Sequence, residues 1–188
     1  MEKYRPATNE IFIDYLENAF TEEELDNLAK QVGEHNYLIY GHPHSPKHIN
    51  GIEELFAHIT IYLPHDLIKD ILIGLSINGS YDCIKMFFVN FWRIIKAKKL
   101  TKIQGGKITE GASPVVHARA GNMSFVIPIE LEEEKFKYFV DKMFSSIDTQ
   151  TIKETKYAFY ENENIVFYTQ DQIAEKAMRE WQEKQRDK

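Results

Sequence analysis

Apolar residues along this chain switch between two spacings, and the switches lay out a series of elements. Residues 8 to 34 read as helical. Thr21 precedes Glu22, Glu23 and Glu24 as a T-x-x-E capping box, Leu25, Leu28, Ala29 and Val32 recur at helical spacing, and Gly33 ends the run. The first half of that segment has two readings: Ile11, Ile13 and Tyr15 alternate like a strand, while Phe12, Leu16 and Phe20 step by four. The helical reading is the one taken. Residues 37 to 40 then read as a short strand, Gly41 to His48 as a turn-rich loop containing Pro43 and Pro46, and residues 55 to 63 as a second strand pairing with the first across a long loop.

Pro64 suits a helix start, and Leu67, Ile68, Ile71, Leu72 and Leu75 supply a stripe that Asn78 and Gly79 interrupt. Beyond Ser80, the positions Tyr81, Ile84, Phe87, Phe88, Phe91, Trp92 and Ile95 cover more than half a helix circumference, as in a core helix. The region from about 66 to 97 is therefore a hydrophobic central helix or helix pair. A basic loop with Gly105, Gly106 and Gly111 follows. Residues 115–120 and 123–129 then flank Gly121-Asn122, a two-residue hairpin turn, and residues 130–147 read as an amphipathic helix.

The scheme recurs at the end. Thr155, Tyr157 and Phe159 alternate, Asn162 to Asn164 turn, residues 165–169 return, and a last helix starts at Asp171 as N-cap. Its apolar stripe is narrow, Ile173, Ala174, Ala177, Met178 and Trp181, which makes it a candidate face for a homodimer. Strands grouped as hairpins point to an α+β fold: an antiparallel sheet packed by amphipathic helices, in one globular domain over residues 1–188, with 1–7 a loose tail and 182–188 a frayed helix end.

Composition narrows the function. The 188 residues are 43% hydrophobic, enough to fold without staples, and 23 basic against 29 acidic residues give a net charge of −6. That acidity argues against a surface built wholly for nucleic acid. Cys83 is the single cysteine, the N-terminus lacks a secretory core, and charges break the apolar region 67–95, so the chain is expected to be cytoplasmic, without a transmembrane segment. Abundant Ile, Lys, Asn, Phe and Tyr suggest an AT-rich, bacterial genome. Cys83 has no basic neighbour in sequence and reads as packing. No serine lies in a G-x-S-x-G context and no carboxylate pair stands out, so catalytic chemistry lacks residue-specific support.

Three surfaces carry the remaining expectations. The segment from Glu10 to Glu34 holds eight acids against one base, Lys30, and Glu17, Glu22, Glu23 and Asp26 are its candidate protein-interaction residues. This leads to a small cytoplasmic non-enzymatic binding or regulatory module, accessory or immunity-like, working with another protein and needing no cofactor. The first alternative is a metal-dependent hydrolase or metal-binding protein that holds zinc or another divalent metal on His42, His44 and His48. Five of the seven histidines fall within residues 35–58, and H-x-H on an extended segment puts both rings on one side. The second alternative is anion, nucleotide or nucleic-acid binding through Arg93, Lys96, Lys98, Lys99, Lys102 and Lys107, a run without an acid that follows an aromatic cluster.

Overall fold

Ile11, Ile13 and Tyr15 are buried on one side of an extended segment and Phe12 on the other, so the two-valued stretch resolves as strand β1, Glu10–Leu16, and not as the expected helix. The reason is position: β1 lies between two other strands, and alternation satisfies both faces at once. In the computed structural model the described residues are 9–17, 19–44, 59–72, 80–98, 100–104, 107–112, 115–147 and 155–186; within them the side chains of 65, 70–72, 80, 100–104, 107–112, 180, 181 and 183–186 are left aside.

The elements that follow are α1 (Glu22–Gly33), β2 (Leu38–His44), β3 (Ile59–Tyr62), α2 (His65–Leu72), α3 (Ser80–Ala97), β4 (Leu100–Gln104), β5 (Lys107–Ala112), β6 (Val116–Ala120), β7 (Met123–Val126), α4 (Glu133–Ser145), β8 (Lys156–Glu161), β9 (Asn164–Tyr168) and α5 (Gln170–Arg186). The central hydrophobic region is thus a helix pair. The basic loop is instead the hairpin β4–β5, with Gln104 opposite Lys107 and Lys102 opposite Thr109.

Seven strands form one sheet in the order β2-β1-β3-β6-β7-β8-β9. The fold is α+β, but the sheet is mixed where an antiparallel one was expected. β1/β2, β3/β6 and β7/β8 are parallel, while β1/β3, β6/β7 and β8/β9 are antiparallel. Strands β2 and β3 do not pair as a hairpin, because α1 carries the chain from β1 to β2 as a parallel crossover and β1 then stands between them. Both short hairpins appear where the turns place them. Gly121 takes φ of 59° between β6 and β7, and Asn162 and Glu163 take φ of 50° and 62° between β8 and β9.

One helical layer covers one face of this sheet. α3 packs between α1 and α4. Its buried Ile84, Phe87, Phe88, Phe91, Trp92 and Ile95 knit the layer together: Phe91 meets Phe20 at 5.4 Å, Phe88 meets Phe144 edge-on at 5.7 Å, and Trp92 stacks on Phe136 at 5.1 Å while its indole N–H donates to the Ile129 carbonyl at 3.0 Å. Each such side chain, fully buried, is worth about 1.5 to 3 kcal/mol of transfer free energy. α4 contributes Phe136, Phe139, Val140, Met143 and Phe144 to the same core.

Caps fix the helix ends. Thr21 and Glu24 form the reciprocal box read from sequence, the Glu24 backbone N–H donating to Thr21 Oγ1 at 3.2 Å and the Thr21 N–H to Glu24 Oε2 at 2.8 Å. At α5 the cap is Thr169 and not Asp171. The Thr169 N–H donates to Gln172 Oε1 at 2.8 Å and the Gln172 N–H to Thr169 Oγ1 at 3.3 Å, a T-x-x-Q version of the same box that leaves Asp171 inside the first turn. Among the described residues no helix is long and apolar enough to cross a membrane.

Candidate functional site

The register aligns two transverse rows across all seven strands. Toward the helices run Gly41, Ile13, Ile61, Ala118, Phe125, Ala158 and Phe167; on the other face run Tyr40, Phe12, Tyr62, Arg119, Ser124, Tyr157 and Tyr168. The first is core. The second is aromatic and polar, with Phe12 stacked on Tyr40 at 5.7 Å and tilted against Tyr62 at 5.4 Å, and the Arg119 guanidinium 5.6 Å from the Tyr62 ring.

His42 and His44 lie on β2, so the expected turn-rich loop is strand as far as residue 44. Pro43 fits there because β2 is the edge strand. The N–H of Leu38 and the carbonyl of His44 turn toward the β1 side, so the intervening alternate positions 39, 41 and 43 turn outward, where a missing donor breaks no ladder bond. The two histidines share one face, as H-x-H requires. Asp14, opposite His42 in register, stands beneath both: His42 Nδ1 is 3.0 Å from Asp14 Oδ1 and His44 Nε2 is 3.9 Å from it. His48 lies outside the described residues. Among the described residues no group of three or more His, Cys, Asp and Glu side chains stands in a metal-holding arrangement.

Three members of the basic run, Arg93, Lys96 and Lys98, are engaged within the protein itself. Arg93 forks onto Glu133 at 2.6 and 3.0 Å, and hydrogen bonds from Arg93 and Lys137 hold the Glu133 carboxyl down to about 2. Lys96 donates to the Leu131 carbonyl at 2.7 Å and lies over the Trp92 ring; Lys98 reaches Glu24 at 2.7 Å. Lys102 and Lys107 belong to β4 and β5, and Lys99 lies outside the described residues.

The acidic segment is divided by α1. Glu24 faces inward, where bonds from Lys98 and Thr21 outweigh burial and lower its pKa. Glu22, Glu23 and Asp26 are exposed and make no hydrogen bond or ion pair among the described residues. Glu17 sits in the turn after β1, its N–H donating to the His44 carbonyl at 2.9 Å. Beside this helix β2 exposes Leu38 (59%) and Tyr40 (45%), and Leu25 of α1 packs against Gly41 so closely that a Cβ there would stand 3.0 Å from Leu25 Cδ1. Leu38 and Tyr40 alternate with Gly41 and so take the face of β2 opposite the one that α1 covers; the acidic helix and these exposed apolar residues lie on opposite faces of the sheet at its β2 end.

Sequence reasoning missed one polar group. His117 on β6 and Ser124 on β7 are buried and joined by a hydrogen bond of 2.8 Å; burial, helped by the nearby Arg119 charge, lowers the His117 pKa to about 4. Val116-His117-Ala118-Arg119 alternates like a strand with a watered face, which hides this. Cys83 packs as read: its Sγ donates to the Gln31 carbonyl at 3.1 Å, and burial raises the thiol pKa. No described protein family, no curated protein and no solved structure matches the chain.

Proposed function

We propose that this protein is a small non-enzymatic binding or regulatory module, accessory or immunity-like, that engages a partner protein carrying a basic surface. The observation behind this is the division of charge on α1. Glu24 is consumed internally by Lys98, whereas Glu22, Glu23 and Asp26 stand exposed and unpaired among the described residues. Exposed charge without a partner inside the protein steers encounter and selects the sign of what it meets. The three members of the basic run whose side chains are described, Arg93, Lys96 and Lys98, support this reading over the nucleic-acid one because each is held by Glu133, Leu131 or Glu24.

The test is affinity capture from the native host with the intact chain and with Glu22→Lys, Glu23→Lys, Asp26→Lys combined, at low and moderate salt, followed by titration of the captured protein. A basic partner whose affinity falls at least tenfold with the triple variant, and falls with salt, is the expected result. Equal binding by both chains, or no partner retained by either, rejects the proposal.

A further inference from the structure

Helix α5 is built unlike the other helices. It is capped by Thr169 and Gln172 and anchored through its second turn, where Lys176 reaches Glu161 at 2.6 Å and lies 5.1 Å from the Tyr168 ring. From 171 to 179 every side chain except Ile173 is exposed, and Met178 is 61% exposed. Seventeen residues at 1.5 Å each make a rod of about 25 Å. A helix of that length is marginal in water without an apolar face buried on something. By the 100° step, 173, 174, 177, 178 and 181 share one side, the stripe of Ile, Ala, Ala, Met and Trp.

The flanks of that stripe indicate what covers it. One flank carries Asp171 and Glu175 in the first half and positions Arg179 and Arg186 in the second; the other carries Lys176 in the first half and positions Glu180 and Glu183 in the second. Each flank thus inverts its sign about residue 178. In an antiparallel pair of identical helices like flanks meet with their ends exchanged, so along the first flank the acids at 171 and 175 of one copy come opposite the bases at 179 and 186 of the other. A parallel pair would set position 175 against 180, Glu against Glu. We infer that α5 is a self-association element, which pairs with α5 of a second copy of this chain, antiparallel and two-fold symmetric about Met178. The seam is Ala174, Ala177 and Met178, with position 181 next along the same stripe, and the small alanines let the helices approach closely. Glu175 and Arg179, 3.8 Å apart within one helix, are each placed to meet the opposite sign on the second copy. This surface lies on the β9 side of the sheet and is independent of the acidic face of α1 at the β2 edge.

Light scattering on the full chain across a concentration series tests it. The expected mass rises from 22.1 kDa toward twice that value and returns to 22.1 kDa in Met178→Glu. Circular dichroism at dilute concentration separates lost pairing from a helix that no longer forms. Orientation is read by cross-linking in a Cys83→Ala background. Met178→Cys links to itself on oxidation, whereas Ala174→Cys, whose copies would stand roughly 12 Å apart along an antiparallel seam, does not. Glu175→Arg and Arg179→Glu each weaken the dimer, and the double swap restores it. A mass of 22.1 kDa at every concentration overturns the proposal and assigns the stripe to a different partner. So does a dimer indifferent to Met178→Glu, or one that links equally at 174 and 178.

Discussion

His117 Nδ1 and Ser124 Oγ meet at 2.8 Å between adjacent strands, with the imidazole 4% and the serine 1% exposed. Burial there keeps the ring neutral until about pH 4, whereas an unfolded histidine takes up its proton near 6.5. The stability this group contributes is therefore complete above about 6.5 and is lost as pH falls toward 4. Between pH 7.5 and 5 the loss is about 2 kcal/mol by linkage. Denaturant unfolding of the wild type and of His117→Gln should show that component only in the wild type. Parallel pH slopes in the two proteins would remove the assignment.

Glu24 does two jobs with one oxygen, accepting from the Thr21 N–H and from Lys98. Thr21→Ala should cost about 1 kcal/mol as a lost N-cap. Lys98→Ala should cost at most about 1 kcal/mol, because the pair is partly exposed. Glu24→Ala should exceed Lys98→Ala, since cap and bridge go together. A double-mutant cycle on Thr21 and Glu24 that returns no coupling energy would contradict the shared cap.

The two hairpin turns predict opposite signs. Gly121 holds φ of 59°, so Gly121→Ala should destabilise by about 1 kcal/mol. Glu163 holds φ of 62° where glycine is preferred, and its pairing with Lys135 at 3.9 Å is between two exposed groups, so Glu163→Gly should stabilise by a few tenths to about 1 kcal/mol. Thermal unfolding of the two variants checks both. The same sign for both would show that the turns do not limit the hairpins.

Helix α4 supplies a contrast within one element. Phe136 is fully buried and stacked on Trp92, and Phe136→Ala should cost about 3 to 5 kcal/mol through lost transfer and a cavity. Two residues on, Tyr138 is exposed, and Tyr138→Ala should stay within about 0.5 kcal/mol. Equilibrium unfolding reads both, and a small loss at Phe136 would mean that the core repacks around the gap.

Local signals were legible wherever a single rule dominated. Gly121-Asn122 placed its hairpin, Thr21 to Glu24 its cap, and the seven apolar positions from Tyr81 to Ile95 the central helix. The misread segments were those where tertiary position overrode the local pattern. β1 is apolar on both faces because it lies between β2 and β3, and such a strand can imitate a helix stripe. Pro43 looked like a loop residue, but an edge strand tolerates it. The parallel pairs were invisible for two reasons: β1/β2 and β7/β8 are crossovers over α1 and α4 that leave no turn signal, and β3/β6 joins residues far apart in sequence. At the site level, residue types were readable and commitments were not. Nothing in the sequence distinguishes Glu24, bound to Lys98, from Glu22 and Glu23 beside it, and nothing ties Asp14 to His42 and His44.

The sheet order has a kinetic consequence. Strands β2, β1 and β3 come from one continuous length of chain and β6 to β9 from another, and only the ladder from Ile59↔Val116 to Tyr62↔Arg119 joins them. The two ladders of β3, to β6 and to β1, close the longest loops in the sheet, so they carry the largest closure entropy and are expected to zip last, after α3 has gathered aromatic contacts from both halves. Pulse-labelled hydrogen exchange should find the amides of β3 and β6 protected later than those of the β8–β9 hairpin. Earlier protection at the junction would reverse that order. A chain arranged this way forms its hairpins and its β1–α1–β2 crossover first and seats β3 between its two distant neighbours afterwards, which makes this four-residue strand, and not the large aromatic core, the step that sets the pace.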